Sequence, residues 1–156
     1  MLKKTRVKKK TTTQLKKEAD RLFSLYIRQK YADSEGMVRC FTCPKVIHYL
    51  EGRKINCGHF VSRAYLATRY DERNCRPQCW GCNNTTFGWG GHGKPVEFAA
   101  GLQAEYGPGI VEELYAKAKP LIPNFDYQAI IDKYSEQKIR EILQKTEDKS
   151  KEVEDC

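Results

Sequence analysis

Three short stretches decide the reading: Cys40-Phe41-Thr42-Cys43, Cys57-Gly58-His59-Phe60, and Asn74-Cys75-Arg76-Pro77-Gln78-Cys79-Trp80-Gly81-Cys82-Asn83. The outer two carry CxxC pairs separated by 35 residues. A CxxC turn aims both sulfurs at one point, and two such turns supply the four thiolates of a tetrahedral structural zinc site. Cys40, Cys43, Cys79 and Cys82 are therefore the expected zinc ligands. The segment between them is short and rich in Gly, so it buries little core by itself. Structural zinc contributes about 10–16 kcal/mol of apparent binding energy in such segments. Of the seven cysteines, Cys57 and Cys75 lack a CxxC partner and read as small buried side chains, while Cys156 ends a charged tail. An odd count, behind a basic start with no apolar segment after it, predicts reduced thiols in a cytosol rather than disulfides.

Outward from this frame the texture becomes helical. Thr11-Thr12-Thr13 can cap a helix, and Leu15, Ala19, Leu22, Phe23, Tyr26 and Ile27 recur at helical spacing, which predicts a helix over about 13–32. Its apolar stripe reads as intramolecular core in preference to a dimer seam. Within the middle, extended pieces are expected at Val46 to Leu50, His59 to Val61 and around Arg76 to Gln78, with turns at Glu51-Gly52 and Trp80-Gly81. Helical spacing returns over Val96 to Tyr106, breaks at Gly107-Pro108-Gly109, resumes from Ile110 to about Lys119, and covers roughly Tyr127 to Lys145 after Pro120 and Pro123. The predicted organisation is a disordered basic arm (1–12), an N-terminal helix (13–36), a zinc-bound core (37–94), a C-terminal helical region (95–146) and a charged tail (147–156). No apolar run approaches the roughly 20 residues of a membrane span.

The formal net charge of +8 is unevenly placed. Residues 1–17 hold eight basic side chains and no acid, 39–94 are net +6, and 95–156 are net −5. A basic arm and a basic middle fit a polyanionic partner, against the plainer reading of a solvated tail and surface.

The string GHFVSRAYLATRYDERNCRPQCWGCN (58–83) resembles the phage recombination proteins of the NinG (Rap) family, and the order CxxC, His, Asn, CxxC-Asn is similar to the HNH (His-Me finger) nucleases of the endonuclease VII type. The closer resemblance spans roughly residues 38–118. It implies an α+β fold: a small zinc-stabilised ββα-metal (HNH) core flanked by an N-terminal helix and C-terminal helices. It also implies a metal-dependent endonuclease that cleaves branched recombination intermediates such as Holliday junctions or D-loops. The protein would then be encoded by a phage or prophage and act in the bacterial cytoplasm. Two symmetric cuts at a junction imply a homodimer.

Onto the matching positions, the resemblance places His59 as general base, Asn74 as the residue that orients its imidazole, and Asn83 as a carbonyl ligand of a catalytic Mg²⁺ or Mn²⁺. Hydrolysis of a phosphodiester needs such a base and such a cation, and imidazole titrates near neutrality. Many HNH enzymes place Asp directly before the base, and here that position is Gly58. Asp71, Glu72 and His92 are candidates to complete the metal shell, each against a reading as an ordinary loop residue. Arg63, Arg69, Arg73 and Arg76, with Lys8, Lys9 and Lys10 of the arm, are the expected DNA contacts. Tyr65, Tyr70, Phe87 and Trp89 can stack on bases, although core packing is the commoner fate of such rings. The competing readings are an HNH nickase without branch selectivity and a non-catalytic zinc-containing DNA-binding module.

Overall fold

The computed structural model describes residues 9–84 and 93–135, together with Arg140 and Gln144. The chain opens with α1 (Thr12–Lys30), which begins at a capping box. The Gln14 backbone N–H donates to Thr11 Oγ1 at 3.3 Å, and the Thr11 N–H donates to Gln14 Oε1 at 2.8 Å. A hairpin of β1 (Met37–Arg39) and β2 (Val46–His48) follows, paired antiparallel with Val38 opposite Ile47. Next come β3 (Ile55–His59), α2 (Leu66–Arg69), a single 3₁₀ turn over Glu72–Asn74, β4 (Cys75–Cys79) and α3 (Trp80–Asn83). The chain continues through α4 (Pro95–Tyr106), α5 (Ile110–Ala118) and α6 (Tyr127–Lys133). It is a mixed α+β arrangement with two small antiparallel sheets.

Three apolar clusters hold these elements. Leu22, Phe23, Tyr26 and Ile27 of α1 bury against Cys57 of β3, Cys75 of β4 and Tyr134 at the end of α6. The predicted stripe is thus spent inside the chain. Val38, Ile55 and the cysteines Cys40, Cys79 and Cys82 form a second cluster between the sheets. Phe98 and Leu102 of α4 pack with Ile110 and Leu114 of α5 around Val61.

Several expected boundaries shift. The strand expected at His59 to Val61 starts earlier, at Ile55, and ends on His59, because residues 55–59 pair with 75–79 in register. Trp80-Gly81, expected as a turn, opens α3 instead, since the chain must curl back there to bring Cys82 beside Cys79. The C-terminal helix is described from Tyr127 to Lys133, and most of its expected continuation to Lys145 lies outside the described residues. So do residues 1–8 of the arm, Phe87, Trp89, His92 and the tail. Among the described residues, no helix is long and apolar enough to cross a membrane.

Candidate functional site

The cysteine frame forms as its spacing predicts. Cys40 and Cys43 sit between β1 and β2, and Cys79 and Cys82 lie at the end of β4 and in α3. The four sulfurs lie within 4.8 Å of one another. Burial opposes ionisation of Cys40, but the backbone N–H groups of Cys79 and Thr42 donate to its sulfur and bring the thiol down to about 7. The Cys79 N–H reaches that sulfur at 3.2 Å. Four thiols, one already biased toward thiolate, make a set that can hold a structural metal such as zinc.

The antiparallel register of β3 and β4 sets His59 opposite Cys75. His59 Nε2 lies 2.9 Å from the Arg69 carbonyl oxygen, and Nδ1 lies 3.2 Å from the Cys57 carbonyl oxygen. A neutral imidazole carries one N–H, so the shorter contact takes the proton and Nδ1 keeps its lone pair. Burial of the ring away from water, with the charges of Arg63 and Arg69 adding to it, pushes the imidazole down to about 4 even though the two carbonyls favour the charged form. His59 is therefore neutral at neutral pH. Cys57, His59, Arg63 and Asn83 all face two adjoining cavities, of about 340 Å³ and 430 Å³. Asp20 of α1 lines the smaller one.

Asn74 is fully buried, and its side chain makes three bonds, none of them to His59. Its Nδ2 donates to the Val61 and Thr68 carbonyls, each at 3.0 Å, and its Oδ1 accepts from the Val61 N–H at 2.7 Å. The orienting contact expected of Asn74 is made by the Arg69 carbonyl; Asn74 instead cross-braces the loop that carries that carbonyl.

Gly58 is occupied space rather than a vacant ligand position. A Cβ there would meet Gln78 Oε1 at 2.2 Å and Gln78 Cγ at 2.8 Å. The Gln78 amide is itself fixed, because Nε2 donates to Thr42 Oγ1 at 2.9 Å and to the Gly93 carbonyl at 2.6 Å. An aspartate before His59 does not fit this packing.

The family described as Bacteriophage Lambda NinG protein matches residues 1–149. The chain belongs to the NinG family. No curated protein and no solved structure matches it.

Placed on this NinG-family chain, the expected DNA-contacting arginines part company. Arg63 is exposed and faces both cavities. Arg69 is buried: its Nη2 and Nε bond the Asp20 carboxylate at 2.6 and 2.9 Å, and its Nη1 bonds the Arg63 carbonyl. Arg76 is wholly enclosed. It is bonded to Glu105, the Tyr106 hydroxyl and two backbone carbonyls, with the rings of Tyr31, Phe41 and Tyr106 stacked around it. Arg73 is partly exposed and paired with Glu113 at 2.9 Å. Arg69 and Arg76 thus tie the fold together and present no guanidinium to a ligand. Lys9 and Lys10 are exposed, and Lys8 lies outside the described residues.

The candidate acids are also committed. Asp71 pairs with Lys117 at 2.7 Å and caps the 3₁₀ turn through the Arg73 N–H. Glu72 accepts from Lys30 at 2.7 Å and from the hydroxyls of Tyr26 and Tyr134. Neither lines the cavities around His59. Tyr70 joins the core against Phe23 and Phe125, whereas Tyr65 is exposed at the rim of the larger cavity. Sequence reasoning missed Asp20. Burial opposes its charge, but bonds from Arg69 and Tyr70 hold its carboxyl below the usual range. Its only sequence signal is an acid beside the apolar stripe of α1, at Ala19.

Proposed function

We propose that the chain is a metal-dependent DNA endonuclease acting on branched recombination intermediates. One observation carries the chemistry. His59 stands at the wall shared by two cavities with Nε2 committed to the Arg69 carbonyl, so that Nδ1, 3.2 Å from the Cys57 carbonyl oxygen, keeps the lone pair that would take a proton from water. With a pKa of about 4, the imidazole alone is a weak base. A phosphodiester brought beside the ring adds negative charge, which raises the imidazole toward the range where it works. Exposed Arg63 is the side chain placed to hold that phosphate.

Asn83, directly after the Cys82 ligand, faces both cavities, and Asn56 and Asn84 line the smaller one. These oxygen donors suit a hard cation that keeps several waters and accepts phosphate oxygens. When bound, Mg²⁺ or Mn²⁺ would supply charge to offset the developing phosphorane. The cysteine frame holds Asn83 in place, β3 holds His59, and the Asn74 brace fixes the loop bearing the Arg69 carbonyl. The antiparallel β3–β4 pair followed by α3 supports the ββα-metal reading. The branched substrate draws on the family resemblance, and a homodimer follows from the need for paired cuts.

The packing of Gln78 against Gly58 favours one alternative, a non-catalytic zinc-containing DNA-binding module, because it excludes the aspartate that many such nucleases use. Purified protein incubated with Mg²⁺ or Mn²⁺ on four-way junctions and on matching linear duplexes separates the readings. Junction cleavage that disappears in His59→Ala, with the melting curve kept, supports the proposal. Equal rates on both substrates would leave a general nickase, and binding without cleavage would leave the module.

A further inference from the structure

We propose that Cys57, Cys75 and His59 form a second metal site that takes a thiophilic divalent cation such as Zn²⁺, and that filling it silences the centre around His59. The binding half stands independently; the silencing half rests on the reading of His59 as the base. The register of the sheet makes the site. Cys57 lies opposite Pro77 and His59 opposite Cys75, so side chains 57, 59 and 75 share one face of the β3–β4 pair. The two sulfurs and a ring nitrogen of His59 lie within 4.8 Å of one another. Ligand atoms around a tetrahedral zinc, at about 2.3 Å to sulfur and 2.0–2.1 Å to nitrogen, sit roughly 3.5–3.8 Å apart. Small side-chain rotations close that difference. Both thiols are free, and the four cysteines of the structural frame are a separate set.

The imidazole is prepared for the role. Metal-binding histidines commonly donate their other N–H to a carbonyl, which fixes the tautomer, and the Arg69 carbonyl does this for Nε2. Three protein ligands leave a fourth position, and since Cys57 and His59 both face the cavities, that position opens toward solvent and any bound ligand. Two sulfurs and one nitrogen select soft cations over Mg²⁺ and Mn²⁺, so the ion proposed to inhibit is not the ion proposed to assist hydrolysis. Binding displaces the protons of Cys57 and Cys75 and occupies the His59 lone pair that would otherwise accept one from water.

The test uses the full chain with its structural frame filled by one zinc. Titration with further Zn²⁺, followed by calorimetry, proton release and metal analysis, is expected to show one additional equivalent per chain. In Cys57→Ser and, separately, in His59→Gln, affinity for that equivalent should fall by at least about 100-fold, since outer-shell changes alone cost 10–100-fold. The first zinc and the circular-dichroism spectrum should be kept. Absence of a further equivalent, or its persistence at unchanged affinity in both variants, overturns the site. Cys57→Ser keeps the proposal testable if a change at wholly buried Cys75 prevents folding. On four-way junctions with Mg²⁺, the additional zinc should stop cleavage by the unmodified chain and spare Cys57→Ser. Equal inhibition of both overturns the silencing. Failure of the unmodified chain to cleave at all overturns the nuclease reading, while the stoichiometry still decides the metal site.

Discussion

Gly58→Ala is the sharpest probe of how the His59 strand is packed. The added Cβ would sit 2.2 Å from Gln78 Oε1 and 2.8 Å from both Gln78 Cδ and Cγ, well inside contact distance. The Cγ contact matters most, because rotating the terminal amide does not relieve it. If Gln78 stays, the overpacking costs about 1–3 kcal/mol. If it swings away, its buried bonds to Thr42 at 2.9 Å and Gly93 at 2.6 Å are lost and leave unsatisfied partners, at about 1–3 kcal/mol. The backbone cannot yield easily either, since Gly58 is paired opposite Arg76, a residue enclosed on every side. Some of each response gives about 3 kcal/mol in all, or roughly 9 °C in Tm for a chain of this size. Urea unfolding at fixed zinc measures it. The double variant Gly58→Ala/Gln78→Ala should be more stable than the sum of the single changes by about 1 kcal/mol or more, because the shortened side chain vacates the space. A Gly58→Ala protein within 1 kcal/mol of the unmodified chain, or strict additivity in the double variant, would refute the packing argument. Gly58→Asp should be at least as destabilising as Gly58→Ala, so an acid placed there should not become a ligand.

Other consequences are simpler to state. Chelation of zinc, or Cys79→Ser, should unfold the β1–β2 end of the molecule, because metal binding there is folding free energy; far-ultraviolet circular dichroism and zinc content check it. The depressed His59 titration makes stability depend on pH. The unfolded chain takes up this proton near the ordinary 6.5 and the folded chain only near about 4. This contribution is therefore complete above pH 6.5, lost progressively down to about 4 and flat below; His59→Gln should flatten that window in denaturant midpoints. Asp20→Asn leaves the guanidinium of Arg69, 8% exposed, without its counter-charge, and should cost about 2 kcal/mol in urea unfolding, less than a fully buried pair because Asp20 is 29% exposed.

What was legible in the sequence was local. Each CxxC spacing brings its own two sulfurs together within one turn, and two such pairs are recognisable as one set without knowing how the 35 residues between them fold. The strand bearing His59 was visible for the same reason, although its bounds were not, because those depend on pairing with residues 75–79. Partners distant in sequence were hidden. Arg69 meets Asp20, 49 residues earlier, and Arg76 meets Glu105, 29 residues later; from sequence all four arginines look alike. Asn74 was found but its contacts were not, since the residue that fixes the imidazole acts through a backbone carbonyl, which any side chain at position 69 would supply.

The charge map gains its meaning from these pairings. The basic middle and the acidic C-terminal part are not two separate surfaces: Glu105 and Glu113 of the acidic part bind Arg76 and Arg73 of the basic part, and Asp20 of α1 binds Arg69. Three of the four arginines around the site are thereby paired within the fold, and Arg63 is the exposed arginine that faces both cavities beside His59. Arg63→Gln separates the two roles of that charge. Because Arg63 helps to push the imidazole down, its removal should move the His59 titration upward from about 4, and NMR of the ring protons reads that directly. If Arg63 also meets a phosphate, the salt dependence of duplex binding should lose about 0.9 from its slope, whereas Arg76→Gln should unsettle the fold without a selective change in that slope. An unmoved titration together with an unchanged slope would remove Arg63 from the site and leave the cavity without its proposed phosphate contact.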